Sequence, residues 1–455
     1  MDHQIIMKDY LLTPKKDPLA KDTREYLGGF LFAEMRTGKT LGTILALIEN
    51  RKSPILIICP CNALQNWYNW LLAQGFKEDK VSVVFGSQKK RSGELSKDRP
   101  IVICNYQMSI KYKLKNLKKW RAIVFDESYM LSGVTAQITQ YWIRGGIPDY
   151  QLRVAVTGDP APENPLNFAT QYFIVWGSFM GYNSYMHYYK DNWRKCEYSG
   201  KHIPLSITHC DKIRDYVQET AHCVTMDSLN LGSKFLYNAC YFEINSAQKK
   251  IMVEVEKLRT EAKMFKGIDP LENPHMLKAR AMERAVAGGM HPETHIIINN
   301  SKQKHIIEYY EENKEPIVVL STLKSPLFEF VRLCREKGLG IGLIHGTSGT
   351  PEEKEQVKDS FLSGEIGIIA GQTDAVCMNY DFSRASKTFY ITNGYKRNPR
   401  SQSEKRTTNV GKKSPVEIID MCYNDTLDEL IVEKLRDKGE LSYSFIDMAF
   451  DSLGK

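Results

Sequence analysis

The feature that most limits what this chain can fold into is a recurring pattern. A short apolar run ends at a Gly, Pro or polar boundary and a helical stretch follows. Phe30–Phe32, Ile55–Cys59, Val81–Phe85, Ile101–Cys104, Ala122–Phe125 and Val154–Val156 are runs of this kind. They do not alternate apolar with polar residues. They therefore predict strands buried on both faces of a parallel sheet, with helices as crossovers. The texture returns in Ile296–Ile298, Ile317–Ser321, Gly340–Ile344, Gly367–Ala370, Thr388–Ile391 and Val416–Met421. Between the two series, Phe173 to Tyr241 is rich in aromatics, among them Trp176, Phe179, Tyr185, Tyr188 and Trp193, and shows no clean strand periodicity. Ser246 to Ala287 reads as helical, interrupted near Gly267–Pro274. At 455 residues, 42% of them hydrophobic, the chain has material for more than one core. The expected division is 1–172 as a first α/β lobe, 173–290 as an aromatic and helical protrusion and connector, and 291–455 as a second lobe.

Composition narrows the function classes. Sixty-two basic residues against 54 acidic ones leave a net charge of +8, a mild bias toward polyanionic partners that many cytosolic enzymes share. Ten cysteines are scattered without a C-x-x-C pair, which predicts reduced thiols in a cytoplasmic protein. His187, His202, His209 and His222 lack metal spacing, so no zinc site is expected. The N-terminus has no signal-peptide pattern, and no run approaches about 18 uncharged apolar residues. A soluble protein without a membrane partner is expected.

The strongest local signal is Ala33-Glu34-Met35-Arg36-Thr37-Gly38-Lys39-Thr40, which follows Phe30–Phe32 and opens the helical run Leu41–Ile48. Strand, tight loop and helix is the context a phosphate cradle requires. Amides from Met35, Arg36, Thr37 and Gly38 present donors, Lys39 reaches the β and γ oxygens, and the Thr40 hydroxyl ligates magnesium. Ala33 stands where the usual pattern has its first glycine, so a chance G-K-T at a helix start is the competing reading. The second signal is Asp126-Glu127, at the end of the apolar strand Ala122–Phe125. Such a pair holds magnesium through Asp126 and orients an attacking water through Glu127. Alone it would read as a solvated strand end; behind a phosphate loop it completes a nucleotide site. ATP and Mg2+ are the expected cofactors.

With these two motifs in place, the sequence resembles the Swi/Snf-like branch of superfamily-two helicases, including its compact viral and phage members. The phosphate loop is similar to D-E-M-G-x-G-K-T, and Asp126-Glu127-Ser128-Tyr129 occupies the D-E-x-H slot. Cys59-Pro60, Leu64 and Asn66-Trp67 resemble P-x-x-L-x-x-N-W, and Asn105-Tyr106 resembles the segment that follows. Thr157-Gly158-Asp159-Pro160 looks like T-G-T-P. Val318–Ser321 with His345-Gly346 is similar to the opening of the second lobe, and Met378-Asn379 with Ala385 to G-L-N-L-x-x-A. Gln402, Arg406 and Gly411 resemble Q-x-x-x-R-x-x-R-x-G, and Thr426-Leu427-Asp428-Glu429 resembles T-I-D-E.

The resemblance implies two RecA-like parallel-sheet lobes joined by a helical connector or protrusion. It implies ATP on Lys39, Thr40 and Asp126, with Arg406 supplying the arginine that stabilises the transferring phosphoryl group. His3-Gln4 resembles the adenine-reading motif, although it lies further upstream than usual. Thr157 and Gly158 would couple the pocket to the nucleic-acid face. Strand contacts would come from Pro60, Asn62, Asn66, Asn105, Tyr106, Ser321, Lys324, Gln372 and Thr373. Three positions depart from the pattern: Arg36 and Cys377 replace glycines, and Asn409 replaces a second arginine, with Arg397 and Arg400 as nearby alternatives.

The expected function is an ATP-dependent DNA helicase or translocase that remodels forks, branched junctions or bound proteins. Asn66-Trp67 and the Thr-Leu-Asp-Glu segment favour DNA over RNA. An RNA helicase is the alternative, and a weakly hydrolysing clamp is a third reading, suggested by Asn409 and Cys377. The aromatic block is either a base-stacking platform or, as is more usual, a packed core. Basic runs at Lys89-Lys90-Arg91, Lys111–Lys119 and Lys396–Arg406 are either phosphate contacts or solvated faces. The compact length fits a monomeric viral or phage motor in a host cytoplasm, acting in branch migration with replication or recombination proteins.

Overall fold

The computed structural model describes residues 2–435 apart from single residues such as 35 and short stretches. The longest of these stretches are 20–24, 145–151, 161–167, 196–201, 205–209, 230–234 and 265–272. The chain divides into two compact units, one reaching to about residue 230 and the other running from there to about residue 440.

The first unit is built on a seven-stranded sheet. Its strands are β1 (Leu27–Ala33), β2 (Ile55–Cys59), β3 (Val81–Val84), β4 (Ile101–Asn105), β5 (Ala122–Asp126), β6 (Leu152–Thr157) and β9 (Ala221–Val224). They lie in the order β3-β4-β2-β5-β6-β1-β9, every neighbouring pair parallel. Every residue of β2, β5 and β6 is buried, as expected for strands covered on both faces. Strands β7 (Trp193–Lys195) and β8 (His202–Pro204) form a separate antiparallel pair.

Strand β1 shows why the aromatic stretch is not a free-standing connector. Leu31 points into one core with Ile57, Val124 and Val154, while Phe30 and Phe32 point into another with Tyr172, Trp176, Phe179 and Tyr188. Phe30 and Tyr172 stack with ring centroids 3.7 Å apart, and the Trp176 ring meets Phe30 edge-on at 5.1 Å. The aromatic rings from Phe173 to Tyr188 are packing of the core that covers β1, inside the first unit.

The second unit has a six-stranded sheet of β10 (Phe235–Phe242), β11 (Ile317–Ser321), β12 (Ile341–Ile344), β13 (Ile368–Gln372), β14 (Lys387–Thr392) and β15 (Val416–Tyr423). The order is β10-β15-β14-β11-β13-β12, again wholly parallel. Helices Ser246–Met264 and Pro274–Ala287 pair through Val255, Leu258, Ala279 and Met282. The expected pair of parallel-sheet α/β bodies is what the chain forms.

Several elements differ from expectation, the short antiparallel pair β7 and β8 among them. β9 and β10 lie where no strand periodicity was visible, and both are edge strands, so neither needs a continuous apolar run. β10 leaves Leu236, Tyr237 and Tyr241 exposed. Ile296–Ile298 is not a strand. It contributes one isolated bridge, Met290 to Ile297, and Ile296 is 65% exposed.

The Thr426-Leu427-Asp428-Glu429 segment acts as a tie. Asp428 Oδ2 accepts from Lys302 Nζ at 2.6 Å and from the Tyr423 amide at 3.2 Å. Lys302 Nζ also donates to the carbonyls of Ala287 (2.8 Å) and Ile391 (3.2 Å). One buried cation thereby joins the ends of β14 and β15 to two helices.

Candidate active site

The loop after β1 turns the chain with two left-handed residues, Arg36 at φ 68° and Gly38 at φ 83°, so that helix Lys39–Asn50 opens at Lys39. A side chain at Gly38 would be strained, and its Cβ would lie 2.4 Å from Gln4 Nε2. Arg36 accepts the same backbone region at a cost of about 1 kcal/mol or more. Thr37 Oγ1 closes the loop by donating to the Glu34 carbonyl at 2.7 Å. The N-terminal helix Asp2–Leu12 reaches the same loop. His3 Nε2 lies 2.9 Å from the Thr37 carbonyl and 2.6 Å from Gln4 Nε2. Gln4 is thus brought to the loop despite its upstream position. Met35 lies outside the described residues.

Two carboxylates face this loop from the end of β5. Lys39 Nζ pairs with Glu127 Oε1 at 2.8 Å, and Thr157 Oγ1, at the end of β6, donates to Glu127 Oε2 at 3.2 Å. Glu127 itself sits at φ 52°, just past the strand. Asp126 is buried. Its Oδ2 accepts from Trp67 Nε1 at 2.7 Å and its Oδ1 from the Glu127 amide at 3.1 Å. Burial pushes the Asp126 carboxyl above the usual carboxylate range and the Glu127 charge adds to this, while Lys39 and the Trp67 donor pull the other way. Thr40 is half-buried beside Lys39. A carboxylate and a hydroxyl are hard oxygen donors of the kind magnesium takes, so the residues fit that ion. The Lys39 ammonium is held by the Glu127 carboxylate at the edge of the loop.

The residues expected to touch nucleic acid fall into two groups. Asn62 and Lys324 are exposed, and Asn66, Asn105 and Gln372 are half-buried. Asn105 Oδ1 caps helix Tyr106–Lys111 by accepting from the Met108 amide at 2.9 Å. Tyr106, Ser321, Thr373 and Pro60 form the second group, and all four are buried. The Tyr106 hydroxyl donates to the Asp126 carbonyl at 2.7 Å, and Ser321 Oγ donates to the Leu323 carbonyl at 2.7 Å. Thr157 and Gly158 are buried at the end of β6. The Lys111–Lys119 run is not uniformly solvated: Lys115 is buried and donates to the carbonyls of Trp142 and Arg144 at 2.9 and 2.8 Å.

In the second unit, Arg406 sits in the turn Lys405–Thr407, its carbonyl accepting from the Phe382 amide at 2.8 Å. Arg400 is withdrawn as its alternative. It is buried, paired with Asp420 and Glu404, bonded to Asn393 Oδ1, and stacked 3.5 Å from the Tyr390 ring centroid. The side chain of Arg397, and Cys377, Met378, Asn379, Asn409 and Gly411, lie outside the described residues.

Sequence reasoning missed the Trp67 donor and Gln171. Gln171 Oε1 accepts from Ser128 Oγ at 2.7 Å, and its Nε2 donates to the Pro160 carbonyl at 2.6 Å, so it ties the segment after Glu127 to the one after Thr157. A lone amide inside the wholly buried helix Phe168–Val175 was the available signal. Among the described residues no cluster of three or more His, Cys, Asp or Glu could hold a metal, and no helix is long and apolar enough to cross a membrane.

Residues 18–215 match the SNF2-related domain family. The chain is 22% identical over 445 residues to the mouse SWI/SNF-related matrix-associated actin-dependent regulator of chromatin subfamily A member 1, covering 90% of this chain and 40% of that protein. It is 21% identical over 433 residues to an uncharacterized ATP-dependent helicase of Mycoplasma pneumoniae, covering 91% and 40%. Over 157 residues it is 31% identical to the ISWI chromatin-remodeling complex ATPase ISW1 of Saccharomyces cerevisiae, covering 30% of this chain and 13% of that protein. The Sulfolobus solfataricus SWI2/SNF2 ATPase core solved in complex with dsDNA aligns over 93% of this chain and 90% of that one, at 18% identity and a TM-score of 0.38. The chain thus spans 40% or less of the length of these three curated relatives. Its phosphate loop and its Asp-Glu pair both fall inside the stretch that matches the SNF2-related domain, which is the family these residues are similar to.

Proposed function

We propose that this chain is an ATP-hydrolysing motor that moves on DNA. The observation that carries the reading is the Lys39–Glu127 pair beside buried Asp126, set where the phosphate loop meets the end of β5. On ATP binding, Lys39 leaves Glu127 for the phosphates, and Glu127 is released to orient the attacking water. Asp126 and Thr40 would hold magnesium, which would supply charge neutralisation for the phosphates. The amides of Met35 to Gly38 cradle phosphates, and Gln4, already against the loop, reads adenine. Arg406 stabilises the charge of the transferring phosphoryl group.

Thr157 and Gly158 couple this chemistry to the DNA face, a role supported by the Thr157 bond to Glu127. Asn62, Asn66, Asn105, Lys324 and Gln372 are the retained DNA contacts, engaging phosphates rather than bases. Remodelling of forks, branched junctions or bound proteins by a monomer is the finer expectation, and so is a replication or recombination setting.

The test is steady-state ATP hydrolysis, alone and with single-stranded, duplex, forked and four-way DNA and with RNA. Strong stimulation by duplex or branched DNA supports the reading, and Glu127→Gln should then retain bound ATP without turnover. Stimulation by RNA alone would replace it with an RNA helicase. ATP binding without hydrolysis on any substrate would replace it with a clamp.

A further inference from the structure

Trp67 lies in helix Leu64–Ala73 and is 1% exposed, among Leu31, Ile57 and Val124. A residue needed only to fill that core could be any large apolar side chain. Instead the indole places its single donor on Asp126 Oδ2 at 2.7 Å. Asp126 is then held at three points: Oδ2 by Trp67, Oδ1 by the Glu127 amide at 3.1 Å, and its main-chain carbonyl by the Tyr106 hydroxyl at 2.7 Å. Together these fix the plane of the carboxylate before any ion arrives.

We propose that Trp67 is a positioning residue for the metal-holding carboxylate of Asp126. The inference rests on the reading of Asp126 given above. Partners of this kind orient a ligand and stop it from turning to a better local acceptor arrangement, and their loss weakens metal affinity by roughly 10- to 100-fold. In this site the alternative is a turn toward the Lys39 ammonium, which already faces Glu127. The role predicts a defect specific to magnesium and not to the nucleotide.

The experiment compares the native chain with Trp67→Phe, which keeps an aromatic ring in the core and removes the N–H. Binding of a fluorescent ADP analogue is titrated in EDTA and then against magnesium, with the melting midpoint recorded for each protein. The expected result is unchanged affinity in EDTA and a half-saturating magnesium concentration raised by about 10- to 100-fold, with turnover restored by excess magnesium. If the smaller ring lowers the melting midpoint, 3-benzothienylalanine at position 67 has the indole's shape without its donor and makes the same comparison. A magnesium dependence equal to the native one in these proteins overturns the proposal. So does an equal loss of binding with and without magnesium, which would mark Trp67 as packing only. A native chain that binds the analogue without any magnesium dependence would overturn the reading of Asp126 itself, and this inference with it.

Discussion

Each unit of the molecule buries a lysine against a carboxylate, and the two pairs differ in every respect except chemistry. Lys39 meets Glu127 at 2.8 Å with side chains 11% and 14% exposed, while Lys302 meets Asp428 at 2.6 Å with 1% and 4%. Lys302 also donates to two carbonyls and lies 4.3 Å from the centroid of the Tyr423 ring, so its donors are spent on fixed groups. Lys39 stands at a helix N-terminus beside a loop whose amides can take an anion. A lysine saturated by carbonyls is cement. A lysine held by one movable carboxylate at a loop edge is a part that can change partners.

The largest expected effect is on the cemented pair. Lys302→Ala leaves Asp428 buried without its counter-charge and should cost about 3–5 kcal/mol of stability, read by denaturant unfolding. Lys302→Met combined with Asp428→Leu should recover most of that loss, since a buried pair replaced by apolar groups is often nearly neutral. Lys39→Ala should behave in the opposite way. We expect turnover to fall about 10²- to 10³-fold, equivalent to roughly 3–4 kcal/mol of barrier, with little change in the melting midpoint. A Lys39→Ala protein that unfolds as readily as Lys302→Ala would break the comparison, and normal turnover would remove Lys39 from the phosphates.

The same contrast separates two arginines of the second unit. Arg406→Ala should lower kcat by roughly ten- to a hundredfold with ATP affinity little changed. Arg400→Ala should instead lower the melting midpoint, because Asp420 and Glu404 lose their shared cation. If Arg406→Ala hydrolyses ATP at the native rate, the finger moves to Arg397.

The strands were legible where they are buried on both faces, because a continuous run such as Ile55–Cys59 has few other uses. They were illegible at the edges. β9 and β10 have one neighbour each, and β10 leaves aromatic residues in solvent, so its pattern carries neither a run nor a clean alternation. Ile296–Ile298 imitates a run without gaining strand partners beyond one bridge. In the site, Lys39, Thr40, Asp126 and Glu127 could be read because a phosphate loop and a strand-end acid pair have fixed local contexts. What Trp67, Gln171 and Arg400 do could not, since each acts through a partner far along the chain, such as Trp67 on Asp126. The exposed or buried fate of Tyr106 was hidden for the same reason. Its hydroxyl finds the Asp126 carbonyl at the end of β5 rather than solvent.

Tyr106 gives the smallest effect and the cleanest decision. As a motif residue it was expected to touch nucleic acid, yet it is buried with its hydroxyl on the Asp126 carbonyl. Tyr106→Phe removes only that hydroxyl and should cost about 1 kcal/mol of stability, the usual net worth of one hydrogen bond. Duplex DNA affinity, measured by anisotropy at fixed salt, should not change. If affinity falls while the unfolding midpoint stays at the native value, the ring must leave the core to meet the strand. In that case the segment after β4 is a moving part like Lys39, not a fixed one like Lys302.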